Sequence, residues 1–405
     1  MGRYNNYSTL VIRKRFLLLV LLTIPFMEVP CIKRVSWLHI IFQSWQVLSL
    51  VLIILTAILS KHIFSRIVYF ILCIQGYVLV NTFIQHGDVK TFTKESIYIL
   101  AIAMLYDVFI SEESFIESQV FCFELLTYIN LLTILMFPDG LYTVENVVSL
   151  RYVWKASKYW FLGFYNTFTE FYIPGLTFMF VLTYQRNQKK RAALFLMAIV
   201  SSLLLVKSGG NLLAMFIMIF VYFFFRKYTK IFNYLNYWMI QLVFLVFVFF
   251  YNIQSHFEWL LVDILHKKHS LNDRIILWKR IIGFIQQRLI FGYGYENGNL
   301  RSIKYGIGAW ARYAHNSFLE IIYQGGLVYL ILFALLVFAA GKKAMKDKDN
   351  NMVAIISCAF LGWSVQSMVD AYFTPFLIGM FVVLFNYGKI YDSSATYVTE
   401  RNASA

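Results

Sequence analysis

Stretch after stretch of this chain runs for about twenty residues with scarcely a charge, and nothing else in the sequence constrains its fold so tightly. An α-helix rising about 1.5 Å per residue needs about 20 apolar residues to cross roughly 30 Å of hydrocarbon. A dozen such stretches can be marked, near 16–32, 35–59, 67–85, 96–111, 115–137, 168–185, 192–206, 211–225, 232–251, 317–340, 352–370 and 374–390. With 60% apolar residues, only 14% charged and a mean hydropathy of +0.64, an ordinary soluble domain is excluded. The expected fold class is all-α: a single polytopic integral membrane domain over 1–405, of about 12 transmembrane helices. A large helical extracytoplasmic loop, 252–316, is expected between the ninth and tenth.

Lysine and arginine total 36 against 21 acidic residues, a net charge of +15. Such a balance can mark a nucleic-acid partner. Here, however, the basic clusters fall between apolar runs, at 13–15, 61–66, 186–191, 226–230 and 342–348. With both termini cytoplasmic, all five lie on the cytoplasmic side, as the positive-inside bias requires. The charge therefore reads as an orientation signal, and no nucleic acid is expected as a partner. Cys31, Cys73, Cys122 and Cys358 lie in or beside apolar runs at no metal-ligand spacing, which reads as packing rather than disulfides or zinc. The first run leads into Glu28 and Pro30 without a small-residue cleavage site, so a span is expected there and not a removed signal.

The loop 252–316 breaks the charge pattern, with nine basic against four acidic side chains on the outer face. Long loops are exempt from the bias, yet arginines held at a membrane surface point to an anion. The stretch 271–326 is read as the lid and floor of a site. Asn272-Asp273 can cap a helix in which Ile275, Ile276, Trp278, Ile281, Ile282, Ile285 and Leu289 recur near helical spacing. Two readings of that helix stand together. It lies on the headgroups with Arg274, Lys279 and Arg280 snorkelling, or Arg274 turns inward and its guanidinium fork clamps a diphosphate. Gly292-Tyr293-Gly294-Tyr295-Glu296-Asn297-Gly298 lacks the Lys-Ser/Thr ending and the preceding strand of a phosphate loop and reads as a turn.

Ser317-x-x-Glu320 has the capping-box pattern, so a helix is expected from Ser317 and Glu320 receives a structural role. His315 and Asn316 then lie at a helix mouth, where free N–H groups favour an anion, with Arg312 three residues upstream. Asp347-Lys348-Asp349 has the Asp-x-Asp spacing of metal-dependent sugar-nucleotide transferases, but it sits in a short lysine-rich loop and reads as solvated. Glu170 and Asp370, near the outer ends of their runs, are expected to face a cavity. Tyr152, Trp154, Tyr159 and Trp160, in the loop after Pro138, are expected at headgroup level.

The run Asn272-Asp273-Arg274, Trp278, Gly292-Tyr293-Gly294, His315 to Glu320 and Gly325-Gly326-Leu327 resembles the signature of the bacterial O-antigen ligase and polysaccharide polymerase superfamily. Its pattern is an arginine, a tryptophan, a Gly-x-Gly turn, a His-Asn and a glycine ten residues after the asparagine, here Gly326. Phe161-Leu162-Gly163 with Asn166 resembles a further element of that family. The tight outer hairpin departs from the pattern: the family's Ser-Arg-Gly is replaced by Lys207-Ser208-Gly209-Gly210, so Lys207 would supply the charge from two residues away. Tyr329 stands where the ligase branch often carries a small residue, which favours polymerase over ligase.

The resemblance implies a metal-independent, cofactor-free glycosyltransferase of glycosyltransferase C-like layout in the bacterial cytoplasmic membrane. Its implied donor is an undecaprenyl-diphosphate-linked oligosaccharide. His315 and Arg274 are implied as catalytic, the histidine taking the hydroxyl proton or orienting the phosphate. Arg312, Lys207, Arg280 and Asn316 are implied as substrate-binding. The reading is a capsular or O-antigen repeat-unit polymerase, with membrane lipid, a flippase and a chain-length regulator as further partners. A ligase of the same superfamily and, from another class, a lipid-linked oligosaccharide flippase stand as alternatives. A flippase would set its charges mid-membrane and show internal repeats, whereas here the basic residues of interest gather in one outer loop.

Overall fold

A backbone in hydrocarbon must satisfy its own N–H and C=O groups, and each apolar run of this chain closes into a helix. The computed structural model describes residues 2–146, 155–225, 227–251, 270–306, 311–368, 370 and 373–390. Helix α1 (Gly2–Thr23) stops where Pro25 opens a 3-10 turn, and Pro30 starts the single turn α2 (Pro30–Lys33). α1 begins well before the expected boundary, so Arg13-Lys14-Arg15 lie inside a helix rather than ahead of one. Then follow α3 (Ser36–Leu59), α4 (Arg66–Ile84), α5 (Val89–Phe109) and α6 (Phe115–Met136). After a small sheet come α7 (Thr169–Arg186), α8 (Lys189–Leu205), α9 (Gly209–Phe220, continued by a π turn to Phe225) and α10 (Tyr234–Tyr251). The loop contributes α11 (Ser270–Gln287) and α12 (Gly298–Tyr305), and α13 (Ser317–Lys346), α14 (Asn351–Ser367) and α15 (Pro375–Phe385) complete the order.

Four of these, α3, α4, α6 and α13, are long and apolar enough to cross a bilayer; 209–225, α14 and α15 are apolar but shorter. Trp37, Leu59, Ile63, Phe83 and Phe216 stand exposed on the outside of the bundle, as a lipid-facing surface requires. The chain is a multi-pass, mostly helical membrane protein. Inside, α6 packs on α7 and α8, α15 on α5, and α14 on α7, α9 and α10. Packed rings of Tyr106, Phe115, Phe123, Phe178 and Phe376 fill the space between α5, α6, α7 and α15, and Trp238, Phe333, Phe360, Trp363 and Phe381 that between α10, α13, α14 and α15.

Three expectations are corrected. The loop after Pro138 contains an antiparallel three-stranded sheet, β1 (Tyr142–Asn146), β2 (Lys155–Trp160) and β3 (Gly163–Phe164), in the order β1-β2-β3. Trp160 of β2 is buried, and its ring N–H donates to the Phe137 carbonyl at 2.9 Å. Tyr152 and Trp154 lie outside the described residues. Asp347 and Asp349 are not merely solvated: Asp347 accepts from the Tyr387 hydroxyl and Asp349 from Thr229, bracing the turn between α13 and α14. Finally, α11 starts at Ser270, so Asn272-Asp273 fall within its first turn and not ahead of it.

Candidate active site

The site is built around a break in α13. Gly326 has φ 63° and ψ −159°, a left-handed region open to glycine, and the helix is interrupted there. A break inside a span frees backbone groups that must find partners. The segment 289–294 supplies them. Tyr293 N–H donates to the Tyr323 carbonyl at 2.8 Å and Gly294 N–H to that of Gln324 at 2.8 Å. In return Leu327 N–H donates to the Leu289 carbonyl at 2.9 Å. α4 completes the repair: the Tyr77 hydroxyl donates to the Gly325 carbonyl at 2.7 Å, and the Asn81 amide to those of Phe291 and Gln324 at 2.7 and 2.9 Å. The approach is too close for side chains, since a Cβ on Gly326 would strike the Ile290 carbonyl. The Gly-x-Gly turn is thus the piece that docks the loop onto a broken span.

The same loop is fastened to the α4–α5 turn. Asp88 N–H donates to the Tyr295 carbonyl at 2.7 Å, and Tyr295 N–H to the Thr82 hydroxyl at 2.9 Å. Asp88 caps α5, accepting from the Thr91 N–H at 3.0 Å and its hydroxyl at 2.8 Å, and those bonds hold its carboxyl below the usual aspartate range.

Glu320 does not close a capping box. Asn316 is the cap of α13, its side-chain oxygen accepting from Phe318 and Leu319 N–H at 3.1 Å. Glu320 instead takes the fork of Arg301, at 2.5 and 2.8 Å, together with Ala314 N–H at 2.8 Å and the Gln324 amide at 2.6 Å. Arg301, 3% exposed, also donates to the Tyr305 hydroxyl at 3.1 Å and lies over the Tyr323 ring at 4.5 Å. Burial opposes its charge, but Glu320 outweighs that and raises its pKa above the arginine norm. Nearby, Lys304 sits 3.6 Å above the Tyr293 ring and bonds to Glu296 at 3.0 Å; burial lowers its pKa against the pull of Glu296. Trp278 of α11 donates to the Ala314 carbonyl at 2.9 Å. The segment before α13 is therefore gripped from α11, α12 and α13 together.

That grip presents His315. Its backbone has φ 47°, uncommon for a residue other than glycine. Its Nδ1 lies 3.3 Å from an oxygen of the buried Asp370, and its ring lies 4.1 Å from that of Tyr313. Tyr313 is pushed well above the tyrosine norm, by burial first and then by Asp370, with Arg274 opposing. Tyr165, just before α7, is raised by burial and likewise feels Arg274 and Asp370. Arg274, His315, Tyr313, Tyr165 and Asp370 thus share one neighbourhood, and Glu170 acts on Tyr313 from its edge. Beside it opens a cavity of about 280 Å³ whose polar lining includes Gln75, Glu95, Tyr295, Arg312, Tyr313 and Gln324.

Of the residues singled out from sequence, the structure sets His315 against Asp370 and Tyr313, with Arg274 near enough to act on Tyr313 and Tyr165, and sets Arg312 on the adjoining cavity. Asn316 is spent on structure: besides capping, its amide donates to the Met368 carbonyl at 3.3 Å. With the N–H groups of Phe318, Leu319 and Glu320 taken, the helix mouth is not the open donor set expected. Arg280 is exposed beside Gly306, and Lys207 is exposed at the tip of the α8–α9 hairpin with φ 55°. The hairpin itself is tied toward the site, since Asn211 donates to the Tyr165 and Asn166 carbonyls at 2.7 and 3.2 Å. Sequence reading passed over Arg301 as a partner for Glu320, Tyr313 beside His315, and Glu95. The only signal for the last was an acid near the outer end of an apolar run.

Residues 192–334 match the O-antigen ligase family, a segment running from α8 through the loop to the middle of α13. It contains Lys207, Arg274, Arg280, Arg312, His315 and Asn316, while Glu95, Glu170 and Asp370 lie outside it. No curated protein matches the chain. Over residues 192–334, the stretch that carries the docking turn, Arg274 and His315, this chain is similar to the O-antigen ligase family.

Proposed function

We propose that the protein is a repeat-unit polymerase for a capsular or O-antigen polysaccharide, with its site at the outer face of the cytoplasmic membrane. In this reading α1, α5, α7, α8 and α10 also cross, giving twelve spans, cytoplasmic termini and an outward loop 252–316. The donor is a glycan on undecaprenyl diphosphate, and the acceptor is a sugar hydroxyl of a second repeat unit. That hydroxyl attacks the anomeric carbon of the donor while the bond to the diphosphate oxygen breaks. Arg274 and Arg312 meet the charge gathering on the departing diphosphate, a stabilisation that grows toward the transition state, so no metal is required. Lys207 and Arg280 attract the same anion from the rim. A flippase that delivers the donor and a regulator of chain length are the expected companions.

The observation that carries this reading is the pairing of His315 with Asp370 next to Arg274. Asp370 faces the charge His315 acquires on taking a proton, which favours the histidine as general base over a role in orienting phosphate. His315→Ala and Arg274→Ala should each abolish polymer in cells while leaving the protein in the membrane. Wild-type chain-length profiles from both variants would end the assignment.

A ligase is favoured by the family that residues 192–334 match, O-antigen ligase. A deletion strain separates the two. Loss of a polymerase leaves single repeat units on the surface, and loss of a ligase leaves long chains unattached.

A further inference from the structure

We infer that the 280 Å³ cavity between α4, α5, α13, α15 and the loop is the seat of one acceptor sugar, whose hydroxyls are received by Glu95. The inference deepens the transferase reading above and rests on it. It starts from a mismatch of charge. Of the cations in this region, Arg301 is engaged by Glu320 and Lys304 by Glu296, while Arg312 stands in the wall on the side of Tyr313. Glu95 receives only the Tyr295 hydroxyl, at 2.9 Å, and forms no ion pair among the described residues. Lys33 acts on it only across a distance.

A diphosphate in the body of this space would meet the carboxylates of Glu95, Glu296 and Glu320, with Arg301 and Lys304 already engaged. A sugar fits the same groups well. An ionised carboxylate is acceptor-only, with two oxygens for hydroxyl donors, and the amides of Gln75 and Gln324 add mixed donors and acceptors. Phe92 and Tyr295, ring centroids 5.5 Å apart, and Tyr329 opposite offer apolar faces to the C–H side of a ring. The volume lies just below the range of small-ligand pockets, about 300–1,000 Å³, which suits one ring and not a whole repeat unit. Tyr313 and Arg312 form the wall toward His315, so a sugar seated here lies on the acceptor side of the base.

The test uses the full chain in lipid nanodiscs and two probes: lipid-free repeat-unit oligosaccharide cut from the host strain's own polymer, and inorganic pyrophosphate. Glu95→Gln should weaken oligosaccharide binding about tenfold or more, the cost of a hydrogen bond to a charged group. It should leave pyrophosphate binding within about twofold, a change of under 0.5 kcal/mol. Tyr295→Phe, which keeps the backbone bonds of the loop, should weaken the oligosaccharide in the same direction. Unchanged oligosaccharide affinity in Glu95→Gln, or displacement of the oligosaccharide by pyrophosphate, would overturn the assignment. Pyrophosphate binding that survives Arg274→Ala would instead overturn the donor reading, with the sugar result standing by itself.

Discussion

Arg301 sits almost wholly out of solvent, with both edges of its guanidinium engaged by one carboxylate. Removing one member of such a buried pair typically costs about 3–5 kcal/mol, because the other charge is left without compensation. Arg301→Met should therefore lower the apparent melting temperature sharply in detergent. The double variant Arg301→Met/Glu320→Leu should recover part of the loss. It cannot recover all of it, since Ala314 N–H and the Gln324 amide also depend on Glu320. Equal melting of the single and double variants would contradict the pairing. A milder prediction concerns Asp88, whose pKa is depressed by its bonds to Thr91. Its stabilisation is present above the ordinary aspartate value of about 3.9 and is lost as pH falls through the lower folded value. Asp88→Ala should cost about 1 kcal/mol at neutral pH, and melting curves taken at descending pH should show that gap closing. Both residues were visible in the sequence. What it concealed was partnership, because Glu320 has a local explanation in Ser317 that a remote arginine outcompetes.

At the scale of elements, the apolar helices are legible because spanning hydrocarbon leaves the backbone little choice. The three-stranded sheet was not, since its strands are only 5, 6 and 2 residues long and carry too little alternation to be told from loop. The Gly-x-Gly turn was recognised as a turn, yet its purpose depends on a break in another helix, marked only by Gly325-Gly326. Gly326→Ala tests that dependence. Its Cβ would collide with the Ile290 carbonyl at a backbone angle that disfavours L side chains, so membrane-inserted protein should fall severalfold in yield and melt lower. Gly283→Ala, where a Cβ meets nothing within 4 Å, is the matched control and should be neutral or slightly stabilising. Similar losses from both would mean that the break is unimportant to the fold.

Across the whole molecule, charge placement makes a topological prediction. In a chain whose four native cysteines are replaced, Lys207→Cys should react with an impermeant maleimide added to intact spheroplasts, and Lys342→Cys only after the membrane is opened. The reverse pattern would invert the protein and sink the proposed outer-face site. Composition was enough to read a membrane protein and the loop to read a family resemblance; Asp370 and Glu95 are marked there only as acids near the ends of apolar runs, and what each meets depends on segments far away in sequence. The broken helix has one more consequence. Because 289–294 and α4 carry the hydrogen bonds that α13 gives up at Gly326, lifting that segment would strand bare amides and carbonyls within the bundle. This stretch is consequently a keystone and not a gate. On the proposed function, a glycan would then reach His315 by threading past a fixed rim, and turnover would be governed by how it slides, not by a door that opens.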